Sequence, residues 1–179
     1  MKVNFSNVQA PIHRNLENLK LICESHRRVA IIGPSGMGKS FIGRAVDAFS
    51  TDYVGSEIDD KWFVNTNKLP ETGVCEGTGD NLKSWVKVFD PDLIVVVAIE
   101  SGQKFKEVMA AKARDYDGEN QHFIDHWLKK SKWSARQANN YIVDKTRMHV
   151  DIAEWLRIPS IVFVNSPQES IRAGWDHKN

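Results

Sequence analysis

The sequence predicts an α/β fold in three layers: a mostly parallel five-stranded sheet, helices on both faces and one helical insertion. Three observations predict it. Short, wholly apolar runs such as Val29-Ala-Ile-Ile32 and Leu93-Ile-Val-Val-Val-Ala-Ile99 read as strands buried on both faces. Stretches between and around them carry apolar residues at three- and four-residue spacings, as helices covering such a sheet do. A chain of 179 residues, 41% apolar and 26% charged, is also long enough to bury one core of its own.

Taken in order, Ile12, Leu16, Leu19 and Cys23 mark one face of a short helix over residues 12–23. Val29 to Ile32 forms the first strand. The stretch Gly33-Pro-Ser-Gly-Met-Gly-Lys-Ser40 turns the chain into a second helix, with Phe41, Ile42, Ala45, Val46 and Phe49 on its buried face. Asp52 to Ile58 is the expected second strand, and Thr72 to Glu76 a weaker third. The turn Asp90-Pro91-Asp92 introduces the strongest strand, Leu93 to Ile99. The following stretch, residues 101–138, is rich in charge and tryptophan and reads as an insertion between strands. Ser134-Ala-Arg-Gln137 is a capping box that opens a long helix striped by Tyr141, Ile142, Lys145, Met148, His149 and Ile152. Pro159 to Val164 is the last strand. Ser166-Pro-Gln-Glu169, a second box with proline in the favoured first position, opens the last helix. No repeat, low-complexity tract or linker divides the chain, so residues 1–179 are expected to form a single domain.

Several function classes are disfavoured. A net charge of +1 argues against a protein that coats nucleic acid, so any basic patch is local. Cys23 and Cys75 stand far apart, and neither they nor the histidines show metal-ligand spacing. The opening MKVNFSNVQA has no apolar core of signal-peptide length, and the longest apolar run is too short to cross a bilayer. A cytoplasmic protein in a reducing compartment, without membrane contact, is expected.

Residues Gly33, Pro34, Ser35, Gly36, Met37, Gly38, Lys39 and Ser40 match G-x-x-x-x-G-K-[ST] in full, with an apolar strand before and an amphipathic helix after. The glycines let the backbone curl so that successive N–H groups face a phosphate. Lys39 adds a charge within reach of its outer oxygens, and the Ser40 hydroxyl is placed for magnesium. Phe41 continues the nucleotide-contacting stretch. A nucleoside triphosphate, with ATP and Mg2+ as the expected pair, is what such a loop binds. Whether its terminal phosphate goes to water or to an acceptor depends on the acids around it.

Two acidic stretches bear on that choice. Glu57-Ile-Asp-Asp60 falls at the carboxyl end of the expected second strand, where parallel sheets hold their ligands. Asp59 or Asp60 could orient an acceptor hydroxyl and take its proton. Glu57 and the nearby ring of Trp62 are candidates for contact with that acceptor. In Val74-Cys-Glu-Gly-Thr-Gly-Asp-Asn-Leu82, Glu76 or Asp80 could hold magnesium through its water shell, and Asn81 could touch the acceptor.

The loop, the acid cluster Glu57 to Asp60, the turn Glu76 to Leu82 and the charged insertion before Pro159-Ser-Ile-Val-Phe-Val-Asn165 together resemble the P-loop kinase group. That group includes nucleoside monophosphate kinases, shikimate and gluconate kinases and polynucleotide kinases. The resemblance implies a P-loop NTPase fold in which residues 102–137 act as a lid that brings cations to the transferring phosphoryl group. Lid candidates are Lys112, Arg114, Lys129, Lys130, Lys132 and Arg136, with Arg136 and Arg114 preferred because a guanidinium grips phosphate bidentately. Arg147 is a third possibility. Asn165 falls where the group often edges the adenine.

The reaction implied is transfer of the γ-phosphate to a hydroxyl or phosphate of a nucleotide, a nucleoside or a nucleic acid, a modified base in DNA included. His126-Trp-Leu-Lys-Lys-Ser-Lys-Trp133 interleaves aromatics with lysines, as a nucleic-acid acceptor would suit, although an ordinary amphipathic lid helix gives the same pattern. The competing reading is an ATPase, in which Glu100, at the end of the apolar run from Leu93, would polarise water.

Overall fold

The computed structural model describes residues 1–59, 61–77 and 82–166. Its centre is β7 (Leu93–Ile99), buried at every position, beside β2 (Arg28–Ile32). Their registers align Ile31 with Val95, so branched side chains cover both faces and helices must cover them in turn. On one side of this pair run β8 (Ser160–Asn165) and the two-residue β1 (Ile12–His13), and on the other β6 (Gly73–Gly77) and the two-residue β3 (Phe49–Ser50). The order is β1-β8-β7-β2-β6-β3, and every pairing in this six-stranded sheet is parallel. The chain is therefore α/β, with a parallel sheet flanked by helices. Asp92 pins the start of the central pair: its carboxylate accepts from the N–H groups of Arg27 and Arg28, 3.0 Å each. Those bonds outweigh its desolvation and hold its pKa below the usual value.

The expected five strands become six because residues 12–13 pair with the edge of β8 before the first helix begins. That helix, α1 (Leu16–Glu24), starts only after Asn15, whose side chain accepts from the N–H of Asn18 at 2.9 Å. The larger departure concerns residues 52–58. They were expected as a strand of the sheet, but Phe49 and Ser50 take that place, and residues 51–54 form a 3-10 turn instead. Gly55–Ile58 (β4) then pairs antiparallel with Lys61–Val64 (β5) as a separate hairpin. Gly55 is the reason. The Trp62 indole lies against its α-carbon, in space a side chain would fill, so one hairpin face closes on Trp62 and Val64. The other face leaves Ile58 and Phe63 exposed.

The remaining helices are α2 (Lys39–Ala45), α3 (Leu82–Phe89), α4 (Gly102–Asp115), α5 (Gln121–Ser131) and α6 (Ala135–Trp155). Helix α6 opens with the expected capping box, Ser134 and Gln137 each accepting from the other's N–H. It buries Ala138, Ile142, Val150 and Ala153 and packs against β7, β8 and α4. Helices α4 and α5 pack on each other, and α4 is tied to α6 where the buried Asn139 side chain accepts from Gly102 N–H at 2.6 Å. Among the described residues, no helix is long and apolar enough to cross a membrane. The last expected helix, after Ser166, lies outside the described residues.

Candidate functional site

The residues after β2 form a loop that its neighbours grip on several sides. Gly36 (φ 91°) and Gly38 (φ 89°) take left-handed backbone that side chains disfavour. Gly36 is further constrained, because a side chain there would collide with Met109 of α4 and press on the Phe105 ring. Gly33 packs equally closely on β7: a Cβ would lie 2.8 Å from the Val97 carbonyl oxygen. Met37 is wholly buried, and its carbonyl accepts from the side-chain amide of Asn165, at the end of β8, at 3.4 Å. Asn165 is itself buried. The structure thus puts it beneath the loop, as a prop.

Two ammonium groups meet on this loop. Lys39, 8% exposed, donates to the Pro34 carbonyl at 3.3 Å. Burial lowers its pKa, and the carboxylates of Glu76 and Asp52 partly restore it. Lys112 reaches down from α4, donates to Ser35 Oγ at 2.7 Å and lies 5.3 Å from the centre of the Trp127 ring. Burial, helped by Lys39 and Lys130 and opposed by Asp52, brings its pKa down to about 8. Among the described residues, neither lysine has a carboxylate within 4.0 Å. A buried ammonium with no carboxylate in contact is costly, so Lys39, with the half-buried Lys112 beside it, suits an anion.

The acids lie on the other side. Glu76, 5% exposed, ends β6 and packs against Gly43 of α2. Asp52, exposed, stands two residues beyond the end of β3, in the 3-10 turn that Ser50 caps by accepting from its N–H at 3.4 Å. Both stand at the carboxyl edge of the sheet, and both act electrostatically on Lys39. Sequence reasoning missed Asp52. The signal was present in Phe49-Ser-Thr-Asp52, a strand end followed by a side-chain-capped turn.

The preferred candidates of the acid cluster fall elsewhere. Asp59 is exposed at the tip of the hairpin in left-handed backbone (φ 51°), which aspartate tolerates. It does not end a strand of the sheet. Glu57 is exposed and pairs across the hairpin with Trp62, whose ring is packed on Gly55. Asp60, Asp80 and Asn81 lie outside the described residues. Ser40 and Phe41 sit half-buried in the first turn of α2, beside the loop. Of the preferred lid arginines, Arg114 is exposed and bound bidentately to its neighbour Asp115 at 2.7 and 2.8 Å. Arg136 and Arg147 are exposed. The cation on the loop is Lys112, whose helical position, one turn beyond Met109, puts it on the face that α4 turns to Gly36.

Of the interleaved tryptophans and lysines, both rings and Lys130 are taken up by packing, while Lys129 and Lys132 are exposed. Trp127 stacks on Phe123 and meets Tyr116 edge-on, and Trp133 stacks on Phe105. Lys130 is buried, donating to the Tyr141 hydroxyl at 3.0 Å. Glu100 accepts from Ser166 Oγ at 3.4 Å and lies 3.9 Å from the Lys2 ammonium. Cys23 and Cys75 are buried, and burial pushes their thiols up to about 11 and about 12, so neither is a ready nucleophile.

Comparison of the chain with protein-family models, with curated proteins and with solved structures finds no match. The structure defines an α/β protein with a parallel sheet, a glycine-rich loop that holds the buried Lys39 and meets the half-buried Lys112 of α4, and two carboxylates near the adjacent strand ends.

Proposed function

We propose that the protein is an ATP-dependent phosphotransferase of the P-loop kinase kind, moving the γ-phosphate to a nucleotide, nucleoside or nucleic-acid acceptor. The observation that carries this reading is the meeting of the buried Lys39 and the half-buried Lys112 on one glycine loop, neither with a carboxylate within 4.0 Å among the described residues. A triphosphate supplies the charge they lack. In this reading residues 33–40 cradle the phosphates, and α4 with α5 is the lid, delivering Lys112 where the sequence suggested an arginine. Magnesium fits Ser40 and the Glu76 carboxylate, and when bound it would neutralise part of the phosphate charge.

In this reading Asp52 is a further candidate for the role expected of Asp59 or Asp60, of which Asp60 lies outside the described residues. Asp52 and Asp59 are both exposed, but Asp52 follows a strand of the parallel sheet and acts electrostatically on Lys39 and Lys112, whereas Asp59 stands at the tip of the separate hairpin. An acceptor hydroxyl beside Asp52 would give up its proton to that carboxylate as its oxygen bonds to the γ-phosphorus. The bond to the β–γ bridging oxygen would break, the nucleoside diphosphate leaving with the negative charge. Lys39 and Lys112 would stabilise the charge on the transferring group. The ATPase reading has less support, because the contacts of Glu100 are with Ser166 and Lys2.

The test is γ-phosphate transfer from labelled ATP with magnesium to three acceptor pools: deoxynucleosides and deoxynucleotides, DNA with and without modified bases, and small hydroxy acids. Free phosphate is counted in parallel. Label on the first or second pool is the expected result. Label appearing only as free phosphate would make the protein an ATPase and return attention to Glu100.

A further inference from the structure

The junction of α5 and α6 carries a groove of about 390 Å³, within the roughly 300–1,000 Å³ of small-ligand sites. Trp133, Gln137, Asn140, Tyr141 and Asp144 line it. Helical phase explains the set. Residues 137, 140, 141 and 144 share one face of α6, and Trp133 stands just before the Ser134 cap. The groove is open to solvent, since Gln137, Asn140 and Asp144 are exposed and both rings are only half-buried. None of its lining residues belongs to the glycine loop. The buried Phe105 touches both sites: it packs beside Gly36, and its ring centre lies 6.3 Å from that of Trp133 and 5.4 Å from that of Tyr141.

This lining suits a flat ring with polar edges. Trp133 and Tyr141 offer aromatic surface for stacking. The polar groups around them have unused capacity. The Gln137 side-chain oxygen accepts from Ser134 N–H at 2.9 Å, which leaves its amide N–H groups to donate. Asn140 can donate and accept, whereas the Asp144 carboxylate only accepts. A carboxylate favours a base that presents an exocyclic amino group and repels one that presents a carbonyl there, so cytosine fits better than thymine. The rim is cationic. Lys132 and Arg136 directly precede Trp133 and Gln137, and Arg147 stands one turn beyond Asp144. All three are exposed, with no carboxylate within 4.0 Å among the described residues. Several cations spaced around stacking rings match a phosphate-linked strand better than a lone base. We propose that this groove binds an unpaired, amino-bearing base of a single-stranded nucleic acid, with Lys132, Arg136 and Arg147 on the flanking phosphates. The site goes beyond the phosphotransferase reading and does not depend on it.

The experiment titrates the full chain with labelled single-stranded deoxycytidine and thymidine oligomers about ten nucleotides long, read by anisotropy and by tryptophan emission. The deoxycytidine oligomer is expected to bind at least about fivefold more tightly, as one hydrogen bond allows, and to quench the emission. Asp144→Asn should level the two, because an amide can donate to the thymine carbonyl as well as accept from an amino group. Trp133→Phe, which keeps a ring against Phe105, should lose most of the quenching. Lys132→Gln and Arg136→Gln together should reduce the slope of log affinity against log salt by about 1.4, roughly 0.7 for each cation on a single strand. Absence of binding, equal binding of the two oligomers by the unaltered chain, or a preference that survives Asp144→Asn would each overturn the proposal. So would quenching that survives Trp133→Phe, or an unchanged salt slope. Equal affinity for a duplex of the same length, or for free deoxycytidine monophosphate, would overturn it as well, the latter marking the groove as a nucleotide site.

Discussion

The glycine loop and the sheet edge beside it both hold charged groups beyond the carboxyl ends of the strands, yet they are built in opposite ways. The loop is gripped by three neighbours: Gly33 by β7, Gly36 by Phe105 and Met109, and the Met37 carbonyl by Asn165. Its cations come from a contiguous stretch of chain and one facing lysine. The edge is a two-residue strand, a 3-10 turn and a hairpin anchored through one face. Its acid is placed by where the strand stops. The contrast teaches that the form of the glycine loop is chiefly local backbone geometry, whereas the place of the acid beside it is a property of sheet topology.

Replacing Lys39 tests the loop most severely. Lys39→Ala is expected to cut phosphate transfer by about 10³-fold, because it removes charge from a site shielded from water, and to weaken MgATP binding measured by calorimetry. Unchanged affinity would mean that the loop is a structural turn. Asp52→Asn should lower kcat by about 10²-fold or more, whereas Asp59→Asn, on the exposed tip, should change it by no more than about twofold. The reverse ranking would move the acceptor to the hairpin.

Gly36→Ala strikes at the grip on the loop. Left-handed backbone and the Met109 contact together should cost about 1–3 kcal/mol, read as a lower urea midpoint. A gentler probe is pH. With its pKa near 8, Lys112 is charged at pH 7 and largely neutral at pH 9, so MgATP affinity should fall between them. Lys112→Arg should flatten that profile. The sign for folding is opposite: between about 8 and the ordinary 10.5 the unfolded chain holds the proton that the folded one has lost, so this group adds stability as pH rises. The smallest effect is expected at Glu100, where Glu100→Gln should alter phosphate release by no more than about twofold.

The correspondence between sequence and structure follows the same divide. The central strands, the box at Ser134 and the left-handed glycines were legible, since each depends on residues close in sequence. The strand expected over residues 52–58 was misread because its alternation belongs to a hairpin that closes on Trp62, and pairing partners are not encoded in one segment's pattern. Arg114 was preferred to Lys112 on the chemistry of the side chain, but helical phase decided the matter. Arg114 points to solvent and Asp115, while Lys112 faces Ser35.

By itself, then, the sequence determined an α/β chain with a glycine-rich loop between its first strong strand and a helix, because apolar runs, helical spacing and glycine backbone freedom act over a few residues. The tertiary structure alone decided that Lys112 meets the loop, that Asp52 and Glu76 face Lys39, and that Phe105 stacks on Trp133. Those juxtapositions join segments separated by tens of residues. They follow from strand order and helix packing, which no single stretch of the chain specifies.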